Sequence, residues 1–205
     1  VSDYAARIAE RLAAAELAVT TEQLGQLGTY LELLAKWNRT INLTSFDLSQ
    51  PSDGAIDRLV VESAYASQLI TSTKLNALDV GSGGGSPSLP LKILSPLLSY
   101  GLVESRSRKC AFLREAVRVL GLADVQVEQA RLEDVAGRES TQSAFDLVTM
   151  RAVRADERLW SAVRALLSPA GRVLWFVAPG ETLPSGFEVI AQHSAVTLIE
   201  ARARG

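Results

Sequence analysis

The chain is expected to fold as an α/β protein, a seven-stranded and mostly parallel sheet preceded by a helical extension. Three features of the sequence lead there. From residue 75 onward, strand-length apolar runs alternate with helical patterns, as in sheets built from strand–helix–strand units. Residues 75–94, LNALDVGSGGGSPSLPLKIL, carry one such run through a glycine turn into a helix, with Pro90 confined to the first helical turn, where its missing N–H costs nothing. The segment before them is mainly of helical spacing, interrupted by an Asn- and Thr-rich break and a polar loop.

In order along the chain, Tyr4, Ile8, Leu12 and Leu17 recur at near-helical intervals, and Thr20 or Thr21 with Glu22 restarts a second helix carrying Leu24, Leu27, Leu31 and Leu34. Residues 36–44, KWNRTINLT, are rich in Asn and Thr and should break that helix and fold onto the sheet. A polar loop over 47–54 precedes a helix over 55–69 with Ile56, Leu59, Val60, Ser63 and Ser67 on one face. Strands are expected over 75–80, 98–104, 125–129, 145–149 and 171–178, followed by a terminal pair near 187–192 and 195–201 that can form a hairpin. A helix over 107–120 turns Phe112, Leu113, Ala116, Val117 and Leu120 to the core. The extension is taken as 1–72 and the sheet domain as 73–205.

Composition narrows the chemistry. With 205 residues there is room for one large domain and a substantial core. Cys110 is the single cysteine, which excludes a disulfide framework and a cysteine-cluster zinc site, makes a reducing, cytoplasmic setting the default, and reads as helix packing. His193 is the single histidine, so neither a histidine metal site nor a histidine triad is expected. A net charge of −2 does not announce a nucleic-acid binder, but a basic patch can coexist with an acidic remainder, and Arg, the better planar partner for phosphate, greatly outnumbers Lys. No apolar stretch of membrane-spanning length and no basic-then-apolar leader occurs, so no membrane partner is expected.

The glycine turn suggests a ligand. Strand, turn and helix N-terminus let a nucleotide or nucleoside approach bare amides at the carboxyl end of a sheet. The spacing is G-x-G-G-G rather than the G-x-G-x-x-G of dinucleotide folds. Glu104 ends the next strand roughly 20 residues on, where its carboxylate either accepts from both ribose hydroxyls or only caps the following helix.

Five motifs then fall in one register. Lys36-Trp37-Asn38 with Ile41-Asn42-Leu43-Thr44 is similar to a W-N-x-x-x-N-L-T signature, and Asp79-Val80-Gly81-Ser82-Gly83-Gly84-Gly85-Ser86-Pro87 to D-x-G-S-G-x-G-x-P. Val103-Glu104-Ser105 with Arg108-Lys109 and Ala111-Phe112-Leu113-Arg114 supplies a strand-two acid and a basic helix. Arg131-Leu132-Glu133-Asp134 is similar to R-x-E-E, and Phe145-Asp146-Leu147-Val148-Thr149-Met150-Arg151-Ala152-Val153 to F-D-x-V-x-x-R-A-V. Together, from residue 31 to about 180, they resemble the bacterial small-subunit (16S) ribosomal RNA guanine-N7 methyltransferases, once called glucose-inhibited division protein B.

The resemblance implies a Rossmann-like class I S-adenosylmethionine methyltransferase fold, and an enzyme that is monomeric and acts on 16S ribosomal RNA or the small ribosomal subunit. It implies that the motif-one Asp79, the Gly81 and Gly83 backbone and Ser86 bind the amino-acid and ribose end of S-adenosylmethionine, that Glu104, Ser105 and Arg106 meet ribose and adenine, and that Leu132 and Glu133 flank the adenine edge. Arg151 would face the methyl donor and the incoming base, its alternative role being an ion pair that holds the strand-four loop. Arg39, Arg106, Arg108, Lys109, Arg151, Arg154, Arg202 and Arg204 would hold RNA, although the 106–114 run also reads as a solvated helix face. Trp37 either stacks on a base or fills the joint between extension and sheet.

The chain departs from the family pattern at Leu59-Val60-Val61-Glu62-Ser63, where the family has H-x-L-D-S, and at Ser88 and Val177. Those changes admit two other functions, a methyltransferase for another RNA or a small molecule, and a catalytically silent cofactor-binding interaction protein. A nicotinamide dehydrogenase is a more distant alternative.

Overall fold

The structure, a computed structural model, describes residues 3–70, 74–154, 156–177, 182–193 and 195–201. Arg202 and Arg204, Ala178 at the end of the expected fifth strand, and residues 179–180 after it lie outside the described residues.

Helices α1 (Asp3–Ala14) and α2 (Thr21–Asn38) open the chain, the second entered through a capping box in which Thr20 and Gln23 satisfy each other's backbone N–H. A helical stretch follows, α3 (Asp53–Ile56), one π-helical turn (Asp57–Val61) and α4 (Glu62–Gln68). The sheet and its helices then alternate: β1 (Asn76–Val80), α5 (Ser88–Leu94), β2 (Ser99–Glu104), α6 (Ser107–Val119), β3 (Val125–Gln129), α7 (Leu132–Ala136), β4 (Phe145–Arg151), α8 (Glu157–Leu166), β5 (Leu167–Phe176), β6 (Phe187–His193) and β7 (Val196–Ala201).

The seven strands are ordered β3-β2-β1-β4-β5-β7-β6. All neighbours are parallel except β5 with β7 and β6 with β7, so the last strand turns back into the sheet as the expected hairpin. Two apolar layers flank it. One face carries α1, α2, α4, α5 and α6, and its core runs without a break from Ile8, Leu12, Tyr30 and Leu34 to Leu89, Phe112 and Phe176. The opposite face carries α7 and α8 over Leu78, Val148, Met150, Val173 and Trp175. The extension therefore buries its apolar stripe on the sheet helices, and Trp37, half-buried, meets Phe112 edge-on at 5.9 Å in that joint.

Strand β5 begins four residues before its expected start because it carries a bulge. Phe145 pairs with Leu167 but Leu147 with Arg172, and a Cβ at Gly171 would sit 2.8 Å from the Phe145 carbonyl oxygen, so only glycine lets the chain pass there. The residues before the bulge lack strand periodicity, and the sequence shows only the part after it. The 55–69 helix likewise contains the π turn, whose wider loop buries Val61 and Glu62 along with the expected Ile56, Leu59, Val60 and Ser63.

Candidate active site

Strand register brings the site together. Val80 lies opposite Val103 on one side and Met150 on the other, so the next residues of three adjacent strands, Gly81, Glu104 and Arg151, come together at the carboxyl edge. Strand β1 is where the connections reverse direction across the sheet, the place at which open α/β sheets bind ligands.

The glycine turn is fastened from below. Gly81 N and Ser82 N both donate to Val103 O, at 2.9 and 3.0 Å, and Gly85 N donates to Ser82 O at 2.6 Å. Gly83 N donates to Glu104 Oε2 at 3.0 Å. The amides that the turn was expected to offer a ligand are thus largely engaged within the protein. What the turn offers instead is room: Gly81, Gly83 and Gly85 have φ of +69, +49 and +79, and a Cβ at Gly81 would stand 3.0 Å from Val153 Cγ1.

Glu104 is buried, and its second oxygen, Oε1, accepts from Arg106 N at 2.8 Å. Glu104 thus fixes the N-cap residue of α6, Arg106, without capping the free amides of the helix's first turn, which have no side-chain cap. The ligand alternative survives, because an ionised carboxylate offers about four lone-pair sites, of which these two amides and, at 3.5 Å, the Ser105 hydroxyl take three. Beside it, Cys110 is buried and its Sγ donates to Glu104 O at 3.2 Å, a packing role.

Asp79 lies under the turn, 1 % exposed, and accepts from Thr149 Oγ1 at 2.6 Å, which also bonds the Tyr100 hydroxyl at 2.7 Å. Burial pushes the Asp79 carboxyl above the ordinary range, and the hydrogen bond from Thr149 opposes the rise. The residue lines no cleft and supports the turn from behind.

Arg151 is held through both terminal nitrogens, while its Nε is buried without a hydrogen-bond partner among the described residues. One guanidinium nitrogen, Nη1, donates to Ser86 Oγ at 2.7 Å and to Arg58 O, while Nη2 pairs with Glu62 Oε2 at 2.8 Å. The cation sits 4.4 Å from the centre of the Phe176 ring. Glu62 also pairs with Arg58 at 2.9 Å, and the two partners are 8 % and 12 % exposed at Arg151 and Glu62. Burial lowers the Arg151 pKa to about 10, with Glu62 opposing, so the group is charged at neutral pH. The ion-pair role of Arg151 is thus present. Its partner Glu62, the lengthened acid of the altered motif, was not foreseen, nor was the π turn that aims the Arg58 and Leu59 carbonyls at Arg151 and Ser86.

Two clefts meet at Gly81. The first, about 330 Å³, is bounded by Glu104, Ser105, Leu132, Glu133, Val153 and Asp156, which brings together the expected ribose and adenine residues Glu104, Ser105, Leu132 and Glu133. The second, about 400 Å³, runs beneath the extension and includes Gly83, Ser86, Arg151, Lys109, Leu43 and Phe46. Arg106 borders neither; it lines a neighbouring groove with Arg108 and Lys109. Tyr30 of α2 is fully buried and donates to Gly84 O at 2.8 Å, tying the extension directly to the turn.

A family model, GidB, described as rRNA small subunit methyltransferase G, matches residues 23–182. The chain belongs to this family. Among curated members, the chain is 34% identical over 164 residues to the ribosomal RNA small subunit methyltransferase G of Streptococcus sanguinis, covering 80% of this chain and 68% of that protein. For the Roseiflexus sp. protein of the same name the values are 37% over 158 residues, 77% and 66%, and for that of Marinobacter nauticus 33% over 193 residues, 92% and 86%. The match therefore spans about two thirds of the first two relatives. Among solved structures, a putative S-adenosyl-L-methionine-dependent methyltransferase from Methanococcus maripaludis superposes with a TM-score of 0.60 at 12% identity, covering 85% of this chain and 93% of that one. M. jannaschii TYW2 in complex with AdoMet gives 0.51 at 16% identity, covering 76% and 78%. The fold is that of the class I methyltransferases. Among the described residues no helix is long and apolar enough to cross a membrane, and no cluster of metal-ligating side chains occurs.

Proposed function

We propose that the chain transfers a methyl group from S-adenosylmethionine to N7 of a guanine in 16S ribosomal RNA, as the names of its relatives suggest. The observation that carries this reading is the sharing of Gly81 by both clefts, since a donor in one and an acceptor base in the other can meet only there. Family membership supports the substrate class.

The residues present fit the cofactor. A side chain at Gly81 would fill the junction, Glu104 retains a lone-pair site for a ribose hydroxyl, and Leu132, Glu133 and Ser105 border the space for an adenine. Bound S-adenosylmethionine supplies a sulfonium-activated methyl group. The chain's own part is placement. Guanine N7 carries an unprotonated lone pair, so no base is required, and holding the two groups in line while excluding water lowers the barrier. Arg151 contributes as a fixed cation in the second cleft, its charge and orientation set by Glu62, Ser86 and Phe176. Such a protein acts in the cytoplasm, where ribosomal RNA is found.

Labelled methyl transfer tests the reading, using protein-free 16S RNA and small subunits from cells lacking the modification, with mass mapping of the product. The expected outcome is 7-methylguanosine at one position. No transfer to either substrate overturns it. One observation favours a second reading, a methyltransferase for another RNA: of the three departures from the family pattern, Leu59 alone lines the second cleft, while Ser88 is buried against Gly85 O. Methylation of total RNA at a different nucleoside would select it.

A further inference from the structure

Beside the two clefts runs a third groove, about 570 Å³, between the loop after α2 and the first turn of α6. Its charged lining is entirely cationic, Arg106, Arg108 and Lys109, and the remainder includes Thr40, Asn42 and Gln129. The first cleft is mixed, with Glu104, Glu133 and Asp156 beside Arg131 and Arg154. Among the described residues Arg106, Arg108 and Lys109 make no ion pair, whereas Arg154 lies 3.9 Å from Asp156.

The groove is held in shape rather than formed by chance of loop placement. Asn38 Oδ1 accepts from Leu43 N at 2.9 Å and Thr44 N at 3.0 Å, and its Nδ2 donates to Thr44 O at 3.1 Å, which closes the 38–44 loop around one side chain. The wall bearing Thr40 and Asn42 is thereby fixed to α2. On the other wall, Glu104 accepts from Arg106 N and pins the start of α6. The groove also reaches the site: Lys109 lines both it and the second cleft, and Ser105 both it and the first.

We infer that this groove carries the RNA phosphodiester backbone next to the target nucleotide, while the first cleft, where carboxylates stand among the arginines, carries none. The inference rests on the function proposed above and names the path of the strand within it. Three cations with no carboxylate among them attract phosphates, and hydroxyl and amide groups at Thr40, Asn42 and Gln129 suit phosphate oxygens and sugar hydroxyls. A strand lying there would present its neighbouring base to the second cleft past Lys109. Phosphate contacts of this kind fix register and leave base choice to the cleft.

The test is the salt dependence of binding to protein-free 16S ribosomal RNA, measured with S-adenosylhomocysteine affinity on the same preparations. Arg108 is exposed and outside both clefts, so Arg108→Ala and Arg108→Glu should fold and bind S-adenosylhomocysteine like the parent. Arg108→Ala is expected to weaken RNA binding several-fold and to reduce the slope of log K against log salt by about 0.7, one single-strand phosphate contact, and Arg108→Glu by more. Arg154→Ala should leave that slope unchanged. RNA binding with an unaltered slope in both Arg108 variants overturns the groove while leaving the methyltransferase reading intact, and an equal loss in Arg154→Ala moves the strand to the opposite flank and also overturns it. If the parent protein binds S-adenosylhomocysteine but no RNA, the proposed function itself fails, and the groove with it.

Discussion

The two clefts on either side of Gly81 share one backbone corner yet are walled by different means. In the first, Glu133 and Arg154 are exposed side chains that the fold beneath does not depend on, while Asp156, also exposed, caps α8 by accepting from Leu159 N at 3.0 Å. In the second, Arg151, Glu62 and Ser86 form a nearly buried network that ties β4, α4 and the glycine turn together. Glu133 and Arg154 of the first cleft can therefore change with little structural cost, whereas Glu104 and Asp156 there, and the whole Arg151 network of the second cleft, are tied to the fold. A change in the second cleft's wall, such as at Leu59, or in the Glu62 partner behind it, must be met by repacking around Arg151.

The strongest challenge to that contrast is Glu62→Ala. It leaves the Arg151 guanidinium buried without its carboxylate partner, and breaking such a pair costs about 3–5 kcal/mol. Urea denaturation should show a loss of this size. A change under 1 kcal/mol would mean that Arg58 O, Ser86 and Phe176 alone satisfy Arg151, and the second cleft would then be no more structural than the first.

Glu104→Ala probes the boundary between the clefts. The carboxylate fixes Gly83 N and Arg106 N and has a lone-pair site left for a ribose hydroxyl, so its loss should weaken S-adenosylhomocysteine by roughly 10- to 100-fold, about 1.5–3 kcal/mol for hydrogen bonds to a charged group. Calorimetry with the homocysteine analogue and with NAD distinguishes a ribose contact from a general collapse of the turn. A collapse would lower the unfolding midpoint by as much as it lowers affinity.

The same contrast explains what could be read from the sequence. Strand β1, the glycine turn and Glu104 lie on a continuous stretch or at the end of an apolar run, and periodicity alone locates them. The place of Asp79 was legible but not its task, because its partner Thr149 is 70 positions away and only the β1–β4 register joins them. Glu62 and Arg151 are separated by 89 positions, and the π turn between α3 and α4 defeats a helical wheel drawn at 3.6 residues per turn. The free amides expected of the glycine turn were missed for a further reason. Whether an amide is open depends on which carbonyl or carboxylate lies opposite, and that is settled by the neighbouring strand.

Tyr30→Phe asks how far the extension shapes the turn. The hydroxyl is buried and donates to Gly84 O, so its removal should cost about 0.5–1.5 kcal/mol of stability with little change in packing. If the extension positions the turn as well as covering it, affinity for S-adenosylhomocysteine falls in the same variant while the hydrophobic contacts of α2 remain. Unchanged affinity would reduce the contact to a structural tie.

Arg154→Ala carries the smallest expected effect and tests the other half of the comparison. Its side chain is 92% exposed and only 3.9 Å from Asp156, a geometry in which solvent screening leaves an ion pair almost nothing to contribute. The unfolding midpoint should not move measurably, and S-adenosylhomocysteine should bind as before, because removing one cation from a wall that keeps Glu133 and Asp156 does not change its shape. A clear loss of stability would show that Arg154 also ties the first cleft to the core, and the division drawn between the two walls would have to be abandoned.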